Sequence, residues 1–469
     1  MSKTGIVEAA VSEFIKSWGQ TVQQCSMYGQ GHQITQLALK NLFNDLSKIL
    51  DEQKDLVLGI IGNEIVFHRE PLYDVSVKMS SFINNLSKMG VSKITFLHGL
   101  QIDEISLLIK LMTFQIHSKG SVKIINDVLT QKGIKHIEIS ELSVDNEELF
   151  NEDIVDIDAF TRKSVERGVK FIEKSYSELK EKREIDGRAL KQIAAGLVNS
   201  LLMNKQLLLL MSSLKLQDEN LFLHNMNVCI LTTMQAELLG LKHSFLVDIA
   251  GSTLMHNIGF ILSSSGSDTS NYTPRQFNMQ HSLEGAKSLL EMREYSKLAA
   301  ITTFENNMPY ENGKPSLKKF GNEYNLISMM ITISCHYDSL RRDSSFYREG
   351  GAEKIFDTMM SDSGSVYHPD LLNNFFAVLG KYPPGTLVEL DSGEIALVIQ
   401  ASLQDIDRPK VEILYDNEGQ PLDKTMSLFL LQKDRHGRYK KSIVQSINPI
   451  HSPYIIPDSI DALQSGGAS

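Results

Sequence analysis

The sequence predicts a chain in three parts: a small α/β domain over residues 1–150, an all-α helical bundle over 151–378 and a small antiparallel β extension over 379–455, closed by a flexible tail, 456–469. Three observations predict it. The first part mixes apolar side chains at helical spacing with short β-rich runs. From about Ala159 to Phe376 the helical spacing is nearly continuous, and twelve prolines in 469 residues favour long helices. From about Tyr382 the pattern changes to short β-rich runs separated by turn residues.

In the first part, Leu37, Leu42, Leu46 and Leu50 predict a helix from about His32 to Leu50. LVLGIIGNEIVF then holds two β-rich runs around Gly62-Asn63, a two-residue hairpin signal. A helix near 75–89, a strand at 94–97, helices from Asp103 to about Gln115 and over 121–131, and a strand near 136–139 complete a module with a mixed sheet. His32, His68, His98, His117 and His136 are scattered through it, and a catalytic site needs several convergent groups. Eight acids lie between Glu141 and Asp158, with no Lys or Arg from Lys135 to Arg162, which predicts a solvated linker.

The clearest helix of the second part, over 221–240, places His224, Val228, Leu231 and Leu238 on one stripe, and the next places Phe245, Ile249, Ser252 and His256 together. A polar, loop-like segment over 263–280 leads to His281 at the start of another helix. The leucine-rich segment Leu201 to Leu216 serves equally as a core helix or as a homodimer face. In the third part, TLVEL, EIALVIQ, VEILY and MSLFLL, with turns at Asp391-Ser392-Gly393 and Asp416 to Gly419, predict four or five strands.

Composition narrows the function classes. Forty-seven Lys+Arg against 57 Asp+Glu give a net charge of −10, so no general basic field favours nucleic acid. Cys25, Cys229 and Cys335 are odd in number and far apart, which predicts a reduced, cytoplasmic protein rather than a disulfide scaffold. No stretch approaches 18 uninterrupted apolar residues, and neither an export signal nor a membrane span is expected.

His224, His256 and His281 are then three histidines on successive helices of one bundle, the arrangement from which bundles build metal sites. From spacing alone the simpler reading of each is a hydrogen-bonded core histidine. The order of residues adds to this. LFLHNMNVCILTTMQAELLGL, LMHNIGF, HSLEGA, ENNMPYENGKP and SCHYDSL resemble the HD-GYP family of helical, metal-dependent phosphodiesterases that hydrolyse cyclic di-GMP, and HPDLLNNFFAVLGKYPPGTLVELDSGEIALVI resembles the end of that domain with its β extension. The resemblance covers roughly 190–420 and implies an HD-type bundle. YGQGHQ (28–33) and the GNEIVF hairpin also resemble a domain found ahead of such units.

Residue by residue, the resemblance places metal-binding histidines at His224, His256 and His281. Asn257 stands at the bridging aspartate of the HD pair and Phe260 at the following lysine. The HHE segment falls on Glu305, Asn306 and Asn307, the GYP tripeptide on Gly313-Lys314-Pro315, and a metal-binding aspartate on Cys335. A bridging carboxylate offsets the charge of two cations and helps the water between them lose its proton; an asparagine has that shape without the charge. Phe260 removes a cation that would stabilise developing negative charge.

These exchanges predict a catalytically inactive member of cyclic di-GMP signalling, acting as an interaction or ligand-sensing module. The alternative is an active phosphodiesterase with an altered centre. There, His224, His256 and Cys335 offer two imidazoles and a thiolate, with Glu305 beside His281, to a single zinc, iron or manganese ion; on the first reading no cofactor is expected. Cys335 is otherwise a buried small hydrophobe. Lys314, Arg341, Arg342 and Arg348 are the candidate contacts for a dinucleotide phosphate, or a solvated basic face. GGDEF-domain proteins are the partners the resemblance implies, a homodimer is open, and Lys314 replaces the tyrosine of the contacting loop.

Overall fold

The computed structural model describes residues 3–62, 64–68, 70–113, 121–141, 157–181, 185–214, 221–263, 279–292, 296–310, 324–343, 351–447 and 453–454. The chain divides into two compact units, Met1–Lys163 and Ser164–Ser469.

The first unit opens on two helices, α1 (Lys3–Tyr28) and α2 (Gln33–Glu52), which pack on each other. The helix α1 has no counterpart in the sequence reading, although Val11, Phe14, Ile15, Trp18 and Cys25 fall on one face at helical spacings of three, four and seven and are all buried. Its aromatic face meets a helix and a strand edge-on: Trp18 lies 5.2 Å from Phe82, on the helix Ser80–Lys88, and 5.5 Å from Phe96, on the strand Val91–Leu97, ring centroid to ring centroid. The strands β1 (Asp55–Ile61), β2 (Glu64–Phe67) and β3 (Glu70–Pro71) are followed by α3 (Tyr73–Lys78) and α4 (Ser80–Lys88). Then come β4 (Val91–Leu97), α5 (Ile102–Thr113), α6 (Ser121–Gln131) and β5 (Ile137–Glu141).

The strand order is β3-β2-β1-β4-β5. The expected mixed sheet is instead antiparallel in every described pairing, with Gly59 opposite Val66 and Val57 opposite Thr95. Parallel pairing requires a crossover back to the start of the neighbouring strand. Here β3 runs in the direction of β1 and ends level with Gly59, and α3 and α4 lead on to β4, which starts beyond Gly59 and runs opposite to β1. The hairpin turn includes Gly62 with φ of 56°; Asn63 lies outside the described residues.

The second unit is helical with a second antiparallel sheet. Its helices are α7 (Ile157–Lys180, which spans the unit boundary), α8 (Gly187–Met203), α9 (Lys205–Leu214), α10 (Leu221–Leu238), α11 (His243–Leu254) and α12 (Ile258–Ser263). They continue with α13 (Met279–Glu291), α14 (Lys297–Phe304), α15 (Leu326–Arg342), α16 (Gly351–Ser361) and α17 (Pro369–Leu379). The hub is α10, which packs against α11 and α15 and is buried continuously from His224 to Ala236. A helix buried on every side belongs in the centre of a bundle, and its polar side chains, His224, Asn225, Asn227, Thr232 and Gln235, are hydrogen-bonded there. Of the stripe read from the sequence, His224, Val228 and Leu231 are buried, while Leu238 at the frayed end is exposed.

Two glycines close α12 onto α13. A Cβ on Gly259 would sit 1.8 Å from the carbonyl oxygen of His281, and one on Gly285 would sit 2.8 Å from the backbone nitrogen of Gly259. No larger residue fits either position without moving backbone.

The strands β6 (Leu387–Leu390), β7 (Ile395–Gln400), β8 (Lys410–Tyr415), β9 (Pro421–Phe429) and β10 (Ile443–Ile447) form a sheet of order β10-β6-β7-β8-β9, antiparallel throughout. Its inner face is covered by Leu207 and Leu210 of α9, which cluster with Leu387, Ile395, Leu397 and Leu414. The leucine-rich segment is thus divided at Asn204 and in part buried by the chain's own sheet. The apolar run His243–Leu262 has the length and composition of a membrane span, and 78% of its window is buried inside this unit. The 456–469 tail and most of the 263–280 segment lie outside the described residues.

Candidate metal-binding site

Four segments bring polar side chains to the centre of the bundle: α10, the turn between α11 and α12, the end of α14, and α15. The α11 helix stops at Leu254, so His256 stands in the turn rather than on a helical stripe with Phe245, which is 40% exposed. Met255 and His256 donate their backbone N–H groups to Ser252 and Thr253 as the chain tightens. That turn points His256 and Asn257 inward together; both are buried.

The imidazoles are fixed by their Nδ1 atoms. His224 Nδ1 lies 2.7 Å from Asp338 Oδ2, and His256 Nδ1 lies 2.6 Å from the Thr253 carbonyl oxygen. Each acceptor lacks a proton to give, so each Nδ1 carries the hydrogen and each Nε2 keeps a lone pair. A carboxylate or carbonyl behind the ring is the arrangement that orients histidine as a metal ligand. The Cys335 Sγ lies 3.3 Å from His224 Nε2, and one ligand atom from each of His224, His256 and Cys335 falls within 4.8 Å of the others. All three residues are at most 3% exposed.

Behind them, Asp338 is fully buried and takes three donors. They are His224, Asn227 Nδ2 at 2.9 Å and Arg342 Nε at 2.8 Å. Burial alone would raise its carboxyl pKa, but the Arg342 guanidinium and the His224 hydrogen bond outweigh that and hold it well below the usual carboxylate range. Burial lowers the pKa of His224 despite the pull of Asp338, and pushes that of His256 down to about 3, with His224 adding to the fall. Both rings are therefore neutral, the protonation state in which imidazole binds metal.

Asn257 is the centre of an amide chain. Asn225 Nδ2 faces the Leu254 carbonyl, which only accepts, so Asn225 Oδ1 is turned toward Asn257 and receives its Nδ2 at 2.8 Å. The same Nδ2 stands 2.8 Å from His256 Nε2, and Asn257 Oδ1 accepts from Asn306 Nδ2 at 3.1 Å. Asn257 thus presents donors, not an anionic oxygen, to the interior of the site. The donor set suits one cation held by His224, His256 and Cys335. Beside that set Asn257 turns N–H groups, and no charge, toward His256.

The other residues singled out in the sequence are placed elsewhere. His281 is half-buried with its ring edge-on to Phe260 at 5.6 Å, and its backbone is packed on Gly259. Glu305 is buried, and its Oε2 accepts the backbone N–H of Asn325, the residue that caps α15. Burial raises its pKa. Arg341 donates from Nη2 to the Ser212 carbonyl, and its guanidinium lies 5.4 Å from the Tyr337 ring. Arg342 is held on Asp338. Lys314 and Arg348 lie outside the described residues.

Asp338 and Asn225 are contributors that sequence reasoning did not single out as site residues, and Asn306 enters it only as a position of the HHE segment. Asp338 sits one turn from both Cys335 and Arg342 on α15, a spacing visible in SCHYDSLRR. Asn225 is adjacent to His224. Neither spacing reports the convergence, of Asp338 with His224 from 114 residues away and of Asn225 with Asn257 from 32.

No family model matches the chain. It is 24% identical over 224 residues to the cyclic di-GMP phosphodiesterase PA4108 of Pseudomonas aeruginosa, a match covering 46% of this chain and 53% of that one. The chain thus spans about half the length of this curated relative. Among solved structures it is similar to Bd1817, a HDG"Y"P protein of Bdellovibrio bacteriovorus, at 14% identity and a TM-score of 0.38, covering 69% of this chain and 94% of that one. The resemblance to HD-GYP proteins carried by the motifs is borne out by the curated match.

Proposed function

We propose that the second unit is an HD-GYP-type domain that has lost two-metal hydrolysis and serves cyclic di-GMP signalling as a cytoplasmic ligand-sensing or interaction module. One observation carries the proposal: the chain Asn225–Asn257–Asn306 occupies the bridging position with amide groups. A phosphodiester hydrolysed by two cations needs an anionic bridge to hold them and to lower the pKa of the attacking water. An uncharged amide whose N–H is donated to His256 does neither. Phe260, whose ring meets His281, supplies no positive charge for the leaving phosphate.

The test is product formation. The full chain, loaded with excess Mn²⁺ or anaerobic Fe²⁺, is incubated with cyclic di-GMP, and linear dinucleotide and GMP are separated by chromatography. The proposal expects no turnover above a metal blank, with calorimetry reporting whether the intact dinucleotide binds. Multiple turnovers per chain refute it.

A second reading, a hydrolase run by an altered centre, draws on the convergence of His224, His256 and Cys335. It requires that linear product form with one bound cation and vanish in His256→Ala.

A further inference from the structure

We propose that His224, His256 and Cys335 form a mononuclear site for a soft divalent cation of the zinc class, with the sulfur of Cys335 as a direct ligand. The proposal rests on the reading that the two-cation centre is closed, and it adds the ligand that makes a one-cation centre workable.

The geometry is nearly assembled. A tetrahedral zinc-class ion, with bonds of about 2.0 Å to nitrogen and 2.3 Å to sulfur, needs ligand atoms roughly 3.3–3.7 Å apart. Cys335 Sγ and His224 Nε2 are already 3.3 Å apart, and the whole set lies within 4.8 Å. Both imidazoles are pre-oriented through Nδ1, by Asp338 and by the Thr253 carbonyl, so no tautomer must change. His256 Nε2 has only to exchange the Asn257 N–H for the cation, and Asn257 keeps its bonds to Asn225 and Asn306.

The proton balance is simple. Cys335–SH plus M²⁺ gives Cys335–S–M⁺ plus one H⁺, released to the buffer, with no oxidant or reductant involved. The thiol hydrogen that points at His224 Nε2 is the one that leaves. The thiolate offsets one of the two charges of the cation, and the Asp338 carboxylate behind His224, which also faces Arg342, adds negative potential there.

The ligand types decide which cation is taken. Two imidazoles and a thiolate favour zinc and cobalt over manganese and magnesium, which prefer oxygen. Among the described residues no carboxylate joins the set: Asp338 is engaged with His224, Asn227 and Arg342, and Glu305 with the start of α15.

The test uses the full chain, stripped of metal and titrated with Co²⁺ under anaerobic, thiol-free conditions. The expected result is saturation at one equivalent, with tetrahedral visible bands and a sulfur-to-cobalt charge-transfer band in the near ultraviolet. That band is lost in Cys335→Ser and kept in Cys229→Ser, whose thiol donates to the Ala250 carbonyl instead. Competition with Zn²⁺ should show at least tenfold weaker binding in Cys335→Ser. Should that variant fail to fold, X-ray absorption of the zinc-loaded wild type decides the matter, with one sulfur and two imidazoles expected at the ion.

Cobalt bound without the sulfur band, a zinc shell without sulfur, or no binding at all would overturn the proposal. Failure of metal binding leaves the loss of hydrolysis as it stands. Linear product released by Mn²⁺-loaded chain refutes that loss without touching the sulfur measurement.

Discussion

Asp338 holds a full negative charge at zero exposure, because Arg342, His224 and Asn227 supply three donors to it. Removing its charge leaves the Arg342 guanidinium without its anion and His224 without the group that sets its tautomer. Asp338→Asn is therefore expected to cost about 3–5 kcal/mol of stability, the scale of a broken buried ion pair. Urea denaturation measures it, and a loss under about 1 kcal/mol would show that the pair is not the support described here. The neutral imidazoles add a pH dependence. In the unfolded chain His224 and His256 take up protons below about pH 6.5, whereas the folded chain holds both pKa values lower, that of His256 at about 3. The unfolded state thus binds more protons, so stability falls as pH drops below about 6.5, by up to about 1.4 kcal/mol per unit for each such proton. Asp338 extends the fall below about pH 4, where its unfolded carboxyl protonates and its folded one does not. Denaturation midpoints at pH 7.5 and 5.5 should differ in the wild type and differ less in His256→Gln; equal differences in the two proteins would contradict the assignment. At this scale the sequence pointed to His224, His256 and Cys335 through motif order. The role of Asn257 as a hydrogen-bond donor to His256 needed the Leu254 carbonyl that fixes the direction of the amide chain.

At the scale of elements, spacing predicted most helices and strands because burial follows it directly. The exceptions have physical causes. The α1 helix was missed although its apolar face was visible, and the His256 stripe was extended past a helix end that only the 252–258 turn reveals. The sheet of the first unit was expected to be mixed, and strand direction depends on connections that periodicity does not encode. The glycines of HNIG and HSLEG are explained by the crossing of α12 and α13, which an alanine cannot enter. Gly259→Ala should cost about 3 kcal/mol or more, since the clash is with backbone rather than with a movable side chain. A Gly259→Ala protein with a wild-type melting temperature and zinc affinity would show that the two helices separate cheaply.

The whole second unit is built so that its helical core and its β extension stabilise each other. Leu207, Leu210, Leu387 and Leu397 are each at most 5% exposed in one shared cluster. A chain ending after Leu379 exposes the leucines of α9 and is expected to bind a hydrophobic dye and to aggregate, measured by fluorescence and light scattering. A soluble, dye-silent truncation would mean the sheet is an independent appendage. The change from helical to β-rich spacing near Tyr382 was legible, whereas the helices and the β extension that follows them belong to one compact unit, Ser164–Ser469. The chemistry was legible only as a set of exchanged residues, since the motifs name positions and not the hydrogen bonds that now occupy them.

The loss of the two-cation centre is tested most directly by counting metal: elemental mass spectrometry on the full chain after saturation with Mn²⁺, anaerobic Fe²⁺ or Zn²⁺ and removal of excess, with His256→Ala as control. The account predicts no more than one cation per chain, retained best for Zn²⁺ and absent from the control. Two cations per chain, both lost with His256, would contradict it, because the amides around Asn257 would then be holding the bridge that they are argued to have closed.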